Sequence, residues 1–127
     1  MKQSQSVFID VRGLKYHCRV WGEEGAPQLF MLHGFQDVSA SWQFTVDALA
    51  KDWRVIAPDW RGYGLTDWTA DGLYWFPDYL ADLDFLLKLF LVDLSDVFPK
   101  FVQSILDFGK TSNSGVVARI REVVLER

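Results

Sequence analysis

Four consecutive apolar residues, Leu29 to Leu32, stop abruptly at His33-Gly34, and a second run, Trp53 to Ala57, follows after a single helical pattern. A strand with one wet face alternates apolar and polar residues, so an unbroken apolar run belongs to a strand covered on both faces. Between the runs, Ser39 or Ser41 can cap a helix whose Trp42, Val46 and Leu49 recur near the helical period, and Asp52 closes it. Strand, short helix and strand make a βαβ unit. Its crossover is right-handed in nearly all cases, so the two strands are expected to be parallel and the chain to be of the α/β class.

The residues before this unit read as a hairpin. Val7, Ile9 and Val11 alternate with Phe8, Asp10 and Arg12, and after the Gly13 turn Tyr16, Cys18 and Val20 alternate with Lys15, His17 and Arg19. "GEEGAPQ" then breaks the chain before Leu29. After the second strand, a loop rich in glycine, tryptophan and aspartate runs from Asp59 to Asp71, and Pro77 suits the first turn of a helix with Tyr79, Leu80, Leu83, Leu86 and Leu87 inward. Beyond Lys88 the character changes. All six tryptophans lie earlier, and the charge shifts from -5 over residues 1–87 (seven basic, twelve acidic) to +1 over the remainder (six basic, five acidic).

In that remainder, Val97, Phe98, Phe101, Val102, Ile105 and Leu106 recur as adjacent pairs four apart, with Ser95 or Asp96 as cap, Pro99 in the first turn and Gly109 as a stop, which predicts an amphipathic helix. Val116, Val117, Ile120, Val123 and Val124 fit either a last helix or, being mostly β-branched, a strand.

With 127 residues, of which 50% are hydrophobic, the chain suits one domain. A net charge of -4 leaves no basic footprint for nucleic acid or an anionic membrane surface. No run reaches the roughly 18 apolar residues of a membrane helix. One cysteine, Cys18, forms no internal disulfide and reads as a half-buried strand thiol, which fits a reducing, cytoplasmic setting. Two histidines without metal-type spacing predict no metal and no cofactor.

Three motifs in order, "HGF" after a buried strand, "SW" at the next helix and "PDWRGYGLTD" after the following strand, together resemble the amino-terminal half of the α/β-hydrolase superfamily, over roughly Val7 to Leu87. The resemblance implies a partial α/β-hydrolase sheet, its amino-terminal strands mixed with a parallel βαβ unit, over residues 1–87, and a helical tail over 88–127 packed on or extending from the same domain. It also implies family chemistry, the hydrolysis of ester, epoxide or related bonds by a nucleophile, a histidine and an acid. In such sites fixed N–H donors aimed at a developing oxyanion each lower the barrier by about 3 to 4 kcal/mol. By resemblance that donor maps to Phe35, with Gly34 letting the backbone turn, and Phe35, Trp42 and Trp60 are the expected substrate wall. The alternative is a plain strand-ending turn with a buried Phe35.

"DWRGYG" reads as scaffold. Asp59 and Arg61 can pair and bond the loop, while Gly62 and Gly64 supply turn geometries. Trp60, Trp68, Tyr74, Trp75 and Phe76 fit the core or the site wall, with the core preferred. His33 is expected to hydrogen-bond at a strand end rather than act as a base.

The family's nucleophile turn, G-x-S-x-G or its aspartate version, is missing. Its nearest approach, "LVDLSDV", offers Ser95, but Asp93 and Val97 stand where small residues are required, and no histidine follows His33. The expectation is a chain with a small apolar ester-like or epoxide-like ligand and no turnover of its own. An active hydrolase with an unconventional or partner-supplied nucleophile is the alternative. A third reading is a homo-oligomer formed through an open strand edge.

Overall fold

The structure, a computed structural model, describes residues 1–90. Ser95 and both expected tail elements lie outside the described residues. The first compact unit is Met1–Phe85, and Leu86 begins the next. Four strands, β1 (Ser4–Val11), β2 (Leu14–Trp21), β3 (Gln28–Phe30) and β4 (Arg54–Pro58), form one sheet in the order β1-β2-β4-β3. The β1–β2 and β2–β4 pairs are antiparallel, and β3 lies parallel to β4, with Leu29 opposite Val55. This is the mixed sheet with a parallel βαβ unit that the apolar runs require.

The hairpin turn has two residues, Arg12 (φ 48°) and Gly13 (φ 83°), because consecutive left-handed residues match the right-handed twist of the paired strands. The strand β3 is shorter than the apolar run that announces it. Met31 still donates its N–H to Ile56 O at 3.0 Å, after which the chain leaves the sheet.

Between β3 and β4 a 3-10 turn, Ser39–Trp42, leads into the short helix α1 (Gln43–Ala48), and neither Ser39 nor Ser41 caps it. The Ser39 N–H goes instead to Asp59, and Asp37 closes the entry by accepting the Val38 N–H at 2.8 Å and the Ser41 hydroxyl at 3.1 Å. Val46 of α1 packs into a cluster of Trp21, Met31, Val55 and Ala57, with Leu29, Trp42, Leu49 and Trp53 against it. The helical spacing of Trp42, Val46 and Leu49 thus buries one face of the sheet.

Along β2 the opposite parity serves the second helix, α2 (Phe76–Phe90). Tyr16 donates its hydroxyl to Asp82 of α2 at 2.7 Å, so α1 and α2 cover opposite faces. Leu83, Leu86 and Leu87 are buried, while Tyr79 and Leu80 are half-buried. Cys18 is fully buried rather than half-buried, and burial followed by the charge of Asp59 pushes its thiol up to about 12. Among the described residues no helix is long and apolar enough to cross a membrane.

Candidate functional site

In an open α/β sheet, ligands bind outside the carboxyl ends of the parallel strands. Here those ends deliver two loops, residues 31–38 after β3 and residues 59–75 after β4. Between them lies a cleft of about 700 Å³ whose lining includes His33, Gly34, Phe35, Trp60, Tyr63 and Tyr79. It falls within the size range of small-molecule sites, and aromatic side chains dominate its wall.

His33 ties the two loops together. Its Nε2 accepts the Trp60 backbone N–H at 3.0 Å, its carbonyl accepts Trp60 Nε1–H at 2.9 Å, and its Nδ1 meets Gly34 O at 2.9 Å. Because Nε2 accepts, the proton sits on Nδ1 and is donated to Gly34 O. Both ring nitrogens are therefore committed.

Phe35 is 84% exposed, which removes the alternative of a buried Phe at this turn. Among the described residues no hydrogen bond uses its N–H. Gly34 does not carry the turn as the sequence reading supposed. The left-handed residue is Gln36 (φ 59°), and a Cβ on Gly34 would meet only open space. Trp60 lines the cleft and stands edge-on to Tyr79 with ring centroids 5.7 Å apart, whereas Trp42 lies against the Trp21–Val46 cluster.

The aromatic residues of the second loop depart from the preference for the core. Trp68 is 77% and Trp75 70% exposed, with Tyr74 and Phe76 also exposed. Tyr74 is held against Gly62, where a Cβ would overlap its ring. The loop between β4 and α2 runs over the surface, and its Trp68, Tyr74 and Phe76 line the cleft instead of filling a core.

Asp59 and Arg61 do not pair. Asp59 accepts the Ser39 N–H at 2.6 Å, the Leu65 N–H at 3.0 Å and His17 Nδ1 at 2.7 Å. Burial opposes its charge, but the Leu65 and Ser39 N–H groups and the Ser39 and His17 side chains outweigh it, holding the carboxyl below its ordinary value. A Cβ on Gly64 (φ 52°) would strike that carboxylate.

Arg61 instead grips Asp82 with two bonds, Nε to Oδ2 at 2.6 Å and Nη2 to Oδ1 at 2.7 Å, and its guanidinium is raised above its ordinary value chiefly by that hydrogen-bonded partner. Tyr16 and Arg12 complete the coordination of Asp82, the latter at 2.9 Å. Sequence reasoning missed both partners. His17 sat on the polar side of an alternating strand, and Asp82 was one acidic residue among several on an amphipathic helix. The "YH" pair inside β2, two polar-tipped residues facing opposite sides of a sheet with helices on both faces, was the only available signal.

The alpha/beta hydrolase fold family model matches residues 27–94, more than half of the chain. The chain belongs to the alpha/beta hydrolase fold family. It is 42% identical over 61 residues to epoxide hydrolase 4 of Homo sapiens, covering 48% of this chain and 17% of that protein. Its fold is similar to the crystal structure of epoxide hydrolase A from Mycobacterium thermoresistibile, with a TM-score of 0.59, 31% identity, and coverage of 68% of this chain and 28% of that one. A haloalkane dehalogenase loop variant from Bradyrhizobium elkanii shares the fold at a TM-score of 0.67 and 24% identity, over 81% of this chain and 36% of that one. The chain therefore spans less than a fifth of the length of the human relative it matches.

Proposed function

We propose that the cleft is the substrate-binding half of a small-molecule hydrolase site, with Phe35 N–H as the donor to a developing oxyanion and Phe35 and Trp60 as substrate wall. The observation that carries this reading is the cleft itself, aromatic-lined and set at the carboxyl ends of β3 and β4, with an unengaged N–H at its His-Gly-Phe turn. Aromatic walls without a charged lining residue favour a small, neutral, apolar ligand, and the kinship with epoxide hydrolases points to an epoxide or a related ester.

In this proposal the cleft binds such a ligand without opening it. His33, with both ring nitrogens engaged, has no lone pair left to take a proton, and no later histidine exists in the chain. Titration calorimetry with styrene oxide tests the binding, and chiral chromatography of the diol product tests the turnover. Saturable heat that is lost in Phe35→Ala, with no diol, is the expected result. Diol formation abolished by Ser95→Ala, with covalent labelling of Ser95, overturns the reading.

A further inference from the structure

Outside the cleft, the structure brings two hairpin residues, Ser6 and His17, to the scaffold carboxylate Asp59 that follows β4, in an arrangement the proposed function does not use. Ser6 Oγ lies 2.9 Å from His17 Nε2, and His17 Nδ1 lies 2.7 Å from Asp59 Oδ2. Hydroxyl, imidazole and carboxylate thus stand in one hydrogen-bonded line, the order in which a serine nucleophile is activated.

We propose that Ser6, His17 and Asp59 form a second reactive centre in which Ser6 is acylated by small esters carrying a good leaving group. The proton positions follow from the carboxylate. Asp59 is held ionised by the donors that converge on it, so it only accepts, and His17 Nδ1 must carry the proton between them. In the neutral imidazole Nε2 is then the free acceptor, placed to take the Ser6 hydroxyl proton. This is the tautomer a general base requires, and Asp59 acts as the positioning residue that fixes it.

Burial divides the line usefully. His17 is 0% exposed whereas Ser6 is exposed, so the base is shielded while the group it would activate meets solvent. The Phe8 ring leans over the imidazole with centroids 5.1 Å apart. Half exposed itself, it offers an apolar platform for the leaving group. Arg19 is paired with Ser6 across the strands and donates to Ser4 Oγ at 3.1 Å, which places a guanidinium on the same face to meet negative charge on the acyl oxygen.

The reaction balances without a co-reactant beyond water. Ser6 Oγ attacks the acyl carbon, the Oγ–C bond forms, and the hydroxyl proton moves to His17 Nε2. The bond to the leaving oxygen breaks, and Nε2 returns the proton to it. Water then repeats the sequence in reverse, releasing the acid and restoring Ser6.

Ser4 supplies an internal reference, since it shares the strand and the face but hydrogen-bonds Arg19 rather than an imidazole. The full chain is treated with an alkyl fluorophosphonate, in which serine displaces fluoride, and with p-nitrophenyl acetate, and labelled peptides are counted by mass spectrometry. Ser6 is expected to carry about 100-fold more label than Ser4, the lower range of general-base assistance. His17→Gln and Asp59→Asn, where circular dichroism shows them folded, are expected to bring that ratio towards one, and Ser6→Ala to abolish the p-nitrophenol burst. Equal labelling of Ser4 and Ser6, or label confined to Ser95, overturns the proposal. If neither variant folds, the wild-type ratio decides alone. Styrene oxide binding in the cleft does not depend on Ser6, so failure here and failure of the proposed function are distinguishable.

Discussion

Replacing Asp82 by alanine tests the most heavily coordinated group in the described structure. Its carboxylate is fully buried and accepts two bonds from Arg61, one from the Tyr16 hydroxyl and one from Arg12. The substitution leaves the Arg61 side chain, only 8% exposed, with only the longer 3.7 Å contact to the partly exposed Asp78, and leaves the Tyr16 hydroxyl without its acceptor. Breaking a buried pair from one side costs about 3 to 5 kcal/mol, because the surviving ion keeps its desolvation penalty. With a urea slope on the order of 1 to 2 kcal/mol per molar, the midpoint should fall by about 1.5 to 5 M.

Arg12→Ala is the control. Arg12 meets the same carboxylate but its side chain is 37% exposed, so water replaces much of what is lost and the cost should stay below about 1 kcal/mol. The triple replacement Tyr16→Phe, Arg61→Met and Asp82→Leu removes three of the four polar side chains together, leaving Arg12 on Asp78, and should recover part of the Asp82→Ala loss, less the cost of the Arg61 N–H that Tyr16 accepts. Urea unfolding followed by tryptophan fluorescence measures every variant. An Asp82→Ala cost no larger than that of Arg12→Ala would refute the reasoning that the loss of Arg61's buried, two-bonded partner sets the penalty.

Three further expectations follow from the same geometry. Asp59 has its folded carboxyl below the ordinary 3.8, so the unfolded chain binds that proton more tightly; its stabilisation is complete above that value and lost as pH falls below about 4, a limb of the stability curve that Asp59→Asn should flatten in acid titrations. Gly64→Ala should destabilise by more than the roughly 1 to 2 kcal/mol of left-handed strain, because the new Cβ meets the anchored Asp59 carboxylate. Gly62→Ala should cost less, since the opposing Tyr74 ring lies on an exposed loop; equal melting temperatures for the two would contradict this. Phe35→Ala should leave the melting temperature within the change expected of about 0.5 kcal/mol while weakening styrene oxide binding, as an exposed ring contributes little to the fold.

What the sequence determined by itself was the local grammar. Periodicity is a property of neighbouring residues, so unbroken apolar runs yielded the parallel β3–β4 pair, alternation around Gly13 yielded the hairpin, and Pro77 with Leu83, Leu86 and Leu87 yielded α2. The motif order likewise announced the family, because a glycine-bearing turn at a strand end is written in consecutive positions.

Only the tertiary structure decided which polar residues meet. Asp59 was expected to bond Arg61, two residues away, but the fold gives it His17 and gives Arg61 Asp82, partners 42 and 21 residues distant. No spacing rule encodes such pairings, because they depend on the sheet order β1-β2-β4-β3 carrying β2 beside β4 and on α2 crossing the face that presents Tyr16. The exposure of Trp68, Tyr74, Trp75 and Phe76 has the same origin. Composition assigns aromatic residues to a core, but whether that core exists at a given place depends on what the rest of the fold sets against them.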